Sequence, residues 1–421
     1  MNIFKNKLLW IAPIATMIIL VIFSLAFYPA YNPKPKDLPI GILNEDKGTT
    51  IQDKNVNIGK KLEDKLLDSD SNKIKWVKVD SEKDLKDQKI FGVAIIDKDF
   101  SKDAMSKTQK VVMDSKKEEM QQKVASGEIP PQVVQQMKQK MGNQQVEVKQ
   151  AKFKTIVSEG SSLQGSQIAS AVLTGMGDNI NAQITKQSLE TLTSQNVKFN
   201  AADINGLTNP VKVDNEKLNK VKDHQAGGNA PFLMFMPIWI GSIVTSILLF
   251  FAFRTSNNIV VQHRIIASIG QMIFAVVAAF AGSFVYIYFM QGVQRFDFDH
   301  PNRIAIFVAF AILGFVGLIL GVMVWLGMKS VPIFFILMFF SMQLVTLPKQ
   351  MLPESYQKYV YDWNPFTHYA TSVRELLYLN HHIELNSTMW MFIGFMIFGA
   401  VSSLVSAIVR KHSTKRTEVP S

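Results

Sequence analysis

Three stretches of the sequence gather residues of the kinds that do chemistry. Glu45 and Asp46 stand side by side in LPIGILNEDKG (38–48). Asp297, Asp299 and His300 cluster in RFDFDHPNR (295–303), and His381, His382 and Glu384 share NHHIE. Neighbouring carboxylates suit acid–base work or calcium, and His with Glu suits zinc. None of the three has the spacing such chemistry needs. Glu45 and Asp46 have no His or nucleophile nearby, and their loop lacks the alternating Asp/Asn ligands and closing Glu of a calcium site. Adjacent histidines point in different directions on a helix or a strand, and no H-E-x-x-H occurs. An Asn-Glu-Asp-Lys-Gly run after a strand has turn chemistry instead, and Pro301 suits the first turn of a helix that follows a solvated bend. With no Cys, disulfides and thiol chemistry are excluded. No G-x-x-x-x-G-K-[ST] is present, so the chain has no P-loop of its own. No catalytic residue, metal or cofactor is assigned.

The elements that would carry these residues fall into two unlike parts. Residues 31–230 hold 31 Lys, no Arg and 27 Asp plus Glu, nearly balanced at +4, whereas 231–409 are mostly apolar with charges confined to gaps. The overall +11 is dispersed, with no basic patch interleaved with aromatics, which argues against nucleic acid as a partner. A membrane-crossing helix needs about 20 mainly apolar residues. Six segments meet or approach that: 8–29, 231–253, 265–290, 304–327, 331–347 and 389–409. The first follows Lys5 and Lys7 as a signal peptide would. It runs too long and ends without a small-x-small site, so it reads as a retained anchor. Lys and Arg near the span ends (Lys5 and Lys7; Arg254 and Arg264; Lys329; Arg410, Lys411, Lys415 and Arg416) place both termini and a basic tail, 410–421, in the cytoplasm. The expected fold is an α-helical polytopic membrane protein with six transmembrane helices. An α+β extracytoplasmic domain, residues 31–230, is inserted between helices 1 and 2, and 1–30 form the cytoplasmic N-terminus and first helix.

Within 31–230, Leu38–Leu43, Ile74–Val79 and Phe91–Ile96 read as strands, with a fourth at Lys110–Met113. Ile58, Leu62, Leu66 and Leu67 share a helical face, and strand–helix–strand order suggests an α+β module. Residues 115–150, broken at Gly-Glu-Ile-Pro-Pro, suit a helical hairpin or a disordered segment. Residues 161–195 suit a long helix that needs a partner helix or a second subunit.

Residues 352–379 read as two short helices broken at Trp363-Asn364, with Pro353 and Pro365 in first turns and Asn364 as an N-cap. The Tyr and Trp rings favour a membrane–water boundary, while Arg374 and Glu375 demand pairing or water. A re-entrant pair capping a pathway satisfies this, and so does an interfacial hairpin that only anchors the last span. Gly314, Gly317 and Gly321 line one predicted span, with Ala275, Ala279 and Gly282 in another. Both are faces for close helix packing, within the chain or against a second copy.

The stretches LPIGILNEDKG, FGVAIIDKDFS (91–101) and NAPFLMFMPIWIG (229–241) resemble the YhgE/Pip (phage infection protein) group of bacterial membrane proteins, itself similar to the type-2 ABC exporter permeases. LPESYQKYVYDWNPFTHYATSVRELLY (352–378) resembles the segment before the last span of those permeases. The resemblance implies a cell-membrane permease subunit that moves an amphipathic or hydrophobic substrate outward. It would act as a homodimer, or as a heterodimer with a similar permease, beside a separate ABC ATPase on the cytoplasmic face. It also favours the re-entrant cap, with Trp363, Asn364, Pro365, Arg374 and Glu375 at the pathway. The loop 254–264 would contact the ATPase through Arg254, Gln262, His263 and Arg264. The alternative for these four is that they only set topology. The alternative for the whole chain is a non-transporting surface scaffold used in secretion or phage adsorption.

Overall fold

Leu38, Ile40 and Ile42 are wholly buried in β1 (Leu38–Asn44), an interior strand next to one edge of a five-stranded sheet. The computed structural model describes residues 35–51, 54–127, 146–197, 200–253 and 260–409. They form two units, one of Lys36–Glu159 with Gln164–Leu218, the other of Gly160–Leu163 with the chain from Asn219 onward. The expected first anchor (8–29), Arg254, the basic tail and the middle of the 115–150 hairpin lie outside the described residues.

In the first unit a small hairpin, β2 (Thr49–Ile51) and β3 (Lys54–Val56), follows β1, and α1 (Ile58–Leu67) leads to β4 (Ile74–Lys78). A short α2 (Lys83–Lys86) precedes β5 (Gly92–Ile96), and α3 (Phe100–Ala125) follows it. Then come β6 (Ala151–Ser158), α4 (Leu163–Ser194), α5 (Ala201–Thr208) and β7 (Val211–Leu218). The sheet order is β4-β1-β5-β6-β7. β1 pairs in parallel with β4 and β5, β5 is antiparallel to β6, and β6 is parallel to β7. One core joins Leu38, Ile40, Ile42 and Phe153 to Phe100, Ala104, Leu173 and Ile180 of α3 and α4; a smaller one gathers Val79, Leu85, Ile90, Val93 and Ile156.

The expected strand at Lys110–Met113 is instead part of α3. Phe100, Ala104, Met105, Thr108, Val111 and Val112 are among its buried residues, a helical period that outweighs the local Val-Val pair. Val111 and Val112 pack with Leu192, Val197 and Leu207. The sequence pattern predicts no strand at β6 or β7, and the structure adds both. β7, VKVDNEKL, is an edge strand with mostly exposed residues, so it carries little of the apolar alternation by which strands are read.

The second unit is helical. It comprises α6 (Ala230–Ala252), α7 (Val261–Gly292), α8 (Pro301–Leu326), α9 (Val331–Thr346), α10 (Glu354–Tyr359), α11 (Pro365–Tyr378) and α12 (Ser387–Val409). Among the described residues four helical runs are long and apolar enough to cross a membrane: Ala230–Ala252, Val261–Gly292, Pro301–Thr346 and Ser387–Val409. The third contains two of the expected spans. Gly327, at φ 61°, interrupts it between α8 and α9, a backbone conformation that glycine adopts without strain. Exposed Leu248, Ile266, Ile273, Val285 and Ile408 suit contact with hydrocarbon.

Candidate functional site

Asp46, one of the two paired carboxylates, is a structural hub. Its Oδ1 accepts from the backbone N–H groups of Gly48 (3.1 Å) and Ser101 (3.1 Å). Its Oδ2 accepts from Gly59 N (3.0 Å) and from the Ser101 hydroxyl. Gly59 lies in the first turn of α1 and Ser101 in that of α3. One carboxylate therefore serves orphan donors at two helix N-termini, where negative charge is favoured. Asn57 caps α1, its Oδ1 accepting from Lys60 N at 2.6 Å. Ser101 Oγ accepts from Ile58 N at 2.7 Å, so its hydroxyl is committed on both sides and is no free nucleophile. Nearby, Glu63 is 5% exposed and accepts from Asn44 Nδ2 (2.9 Å), with Lys78 Nζ 2.8 Å from its other oxygen. Burial raises the Glu63 carboxyl, but the Lys78 and Asn44 hydrogen bonds outweigh it and hold it below the ordinary glutamate value.

In the helical unit, α11 is held at both ends. Asn364 is 1% exposed. Its Oδ1 accepts from Phe366 N (2.9 Å) and its Nδ2 donates to Ser341 Oγ (2.8 Å) of α9. Pro365 occupies the first turn, where its missing N–H has no partner to lose. At the other end, Tyr378 Oη donates to Gln225 O (3.0 Å) and accepts from Ala230 N (3.3 Å) at the start of α6. The buried face of α11 packs edge-on into an aromatic cluster. Phe366 lies 4.6 Å from Trp239 and 4.7 Å from Phe235, and Trp239 lies 5.0 Å from Phe315 (ring centroids). Trp363 is exposed, with its Nε1 donating to Tyr359 O.

Three polar atoms here are enclosed without a hydrogen-bond partner among the described residues: Trp239 Nε1, Tyr369 Oη and Arg374 Nε. The Trp239 ring meets Phe315 and Phe366 edge to face. The sequence reading singled out Arg374, counted Tyr369 among the boundary rings and missed Trp239; Tyr369 is instead wholly buried, and an aromatic residue in an apolar helix such as α6 carries no signal of an unmet hydrogen bond. Arg374 makes no ion pair with Glu375 or Asp362. Asp362 is 2.6 Å from Lys349 instead.

Gly314, Gly317 and Gly321 face α12 of the same chain. A Cβ on Gly317 would lie 2.6 Å from Phe395 O, one on Gly399 would lie 2.6 Å from Gly317 Cα, and one on Gly314 would lie 2.9 Å from a Phe392 ring carbon. Ser402 Oγ donates to Gly321 O (2.6 Å) and accepts from Trp325 Nε1 (2.7 Å), closing the seam with hydrogen bonds. A Cβ on Gly282 would meet nothing within 4 Å. Gln262, His263 and Arg264 are in the first turn of α7 rather than in a loop, with Gln262 and His263 exposed. Of the remaining ligand-like residues, Asp297 and Asp299 pair with Lys222. The His381 carbonyl accepts from Arg303 Nη1 at 2.9 Å.

Searches of curated proteins and of solved structures returned no significant match. The family model described as ABC-2 family transporter protein matches residues 7–405. That match takes in both the sheet-containing unit and the helical bundle, and with it the chain belongs to the ABC-2 transporter family.

Proposed function

We propose that this chain is the membrane-spanning subunit of an exporter driven by a separate ATPase, and that it moves an amphipathic or hydrophobic substrate outward. The carrying observation is the ABC-2 family match over residues 7–405 in a chain that has no P-loop. Within the family, the resemblance of the motifs at 38–48, 91–101 and 229–241 supports a kinship with the YhgE/Pip group. The exposed first turn of α7, with Gln262, His263 and Arg264, and the preceding Arg254 form the ATPase contact. The basic residues at the span ends set both termini in the cytoplasm and residues 31–230 outside. α11, fixed at Asn364 and Tyr378, caps the pathway, and two copies, or one copy and a similar permease, complete it.

The test is co-purification with nucleotide hydrolysis. The rigorously purified single chain hydrolyses no ATP. Arg254→Glu with Arg264→Glu weakens retention of the ATPase that co-purifies with the parent chain. Hydrolysis by the single chain, or a parent chain that brings down secretion components and no ATPase, contradicts the reading. Cysteines placed singly at Lys117 and Ser413 test orientation. In intact cells an impermeant thiol reagent labels the first and not the second, and the reverse pattern sinks the topology.

A further inference from the structure

Arg374 presents a cation that the described chain does not answer. Its Nε has no accessible surface and no acceptor. Among the described residues no carboxylate comes within the 4.0 Å of an ion pair. Glu375 follows it directly, and adjacent residues on a helix do not face each other. Asp362, the other nearby acid, is taken by Lys349. Tyr361, Tyr378 and Glu375 are the ionisable side chains that act on the guanidinium. On Tyr361 sits a second cation, Lys349 Nζ, 5.4 Å from the ring centroid, which Asp362 holds at 2.6 Å and which keeps two further N–H donors. Close by in the chain, Tyr359 and Trp363 expose 65% and 62% of their surface, the ring placement of a membrane–water boundary.

A half-buried guanidinium without a partner is costly in or near hydrocarbon. It presents a planar fork of donors matched to phosphate oxygens, and at such a fork Lys is no equivalent. We propose that Arg374, assisted by Lys349 on the Tyr361 ring, binds the phosphate group of an anionic ligand at the membrane boundary. The phosphate comes from a lipid headgroup or from a soluble phosphoester. The exposed aromatic rings beside the site favour the lipid. The proposal rests on the membrane-embedded reading of this chain and not on its ATPase.

The test uses the full chain, delipidated in a neutral detergent and without nucleotide or ATPase. Its thermal unfolding is followed while dioctanoyl phosphatidylglycerol, dioctanoyl phosphatidylcholine or glycerol phosphate is titrated in. Phosphatidylglycerol raises the melting temperature saturably, and Arg374→Gln weakens the apparent affinity about tenfold, the loss expected for one charge-assisted hydrogen-bonding pair. Arg374→Lys recovers only part of it. A response to phosphatidylglycerol that glycerol phosphate does not reproduce assigns the site to lipid, and an equal response assigns it to the free phosphoester. Parent-like affinity in Arg374→Gln overturns the proposal. If that variant does not fold, Lys349→Gln serves in its place, with about a threefold loss expected for the more exposed charge; no loss there overturns the paired-cation geometry. A failed ATPase association leaves this titration unchanged, so the two readings fail separately.

Discussion

Replacing Asp46 with Ala removes the acceptor shared by α1 and α3. Three backbone donors lose it, Gly48 N, Gly59 N and Ser101 N, together with the Ser101 hydroxyl. Loss of one helix cap costs about 0.5–2 kcal/mol, and hydrogen bonds to a charged acceptor are worth about 1.5–3 kcal/mol each. Asp46 is only half-buried, so water recovers part of this, and two helix starts are affected. The expected loss is about 2–4 kcal/mol. For a unit of this size that shifts melting by roughly 4–16 °C. The assay is thermolysin cleavage of the full chain in detergent across a temperature ramp, with fragments mapped to residues 36–218 by mass spectrometry. Glu45→Ala, at an exposed neighbour, is the control and stays within about 0.5 kcal/mol of the parent. If Asp46→Ala melts like Glu45→Ala, the hub does not hold the fold. If it melts normally yet abolishes export, the carboxylate has a direct role that the reasoning denies.

Gly399→Ala brings a methyl group against the Gly317 backbone, which cannot move aside as a side chain can. It forces α8 and α12 apart at a cost of about 1–3 kcal/mol or more. Gly282→Ala meets open space and is neutral or stabilising by up to about 1 kcal/mol; size-exclusion profiles and detergent melting curves separate the two. Asn364→Ala removes both the α11 cap and the bond to Ser341, lowering stability by about 1–3 kcal/mol in the same melting assay. Because the folded Glu63 carboxyl lies below its unfolded value, its stabilisation is present above the unfolded pKa and is lost as pH falls through the folded one. Acidification below about pH 4.3 therefore weakens the sheet-containing unit. Glu63→Gln flattens that part of the pH profile and lowers stability at pH 7, as pH-dependent proteolysis will read.

The division into a polar part and an apolar part was legible because hydropathy is summed along the chain and needs no partner. The helix at Ile58–Leu67 and the cap at Asn364-Pro365 were legible for the same reason, since caps and amphipathic periods act within a few residues. What tertiary structure decided was pairing. Strand β7 is polar along most of its length and is held by its register with β6, so its own sequence carried almost no strand signal. The Val111-Val112 pair looked extended in isolation and became helical because α4 and α5 offer Leu192 and Leu207 as partners. Gly317 and Gly321 announced a close helix contact, but only the fold selects α12 of the same chain as the neighbour. Asp46 announced a turn, yet its acceptors are filled by a residue 55 positions away, a distance over which sequence spacing says nothing. Arg374 was legible as a costly charge. That no carboxylate among the described residues pairs with it, while Asp362 goes to Lys349, depends on how two short helices and a loop converge, and no local rule specifies that.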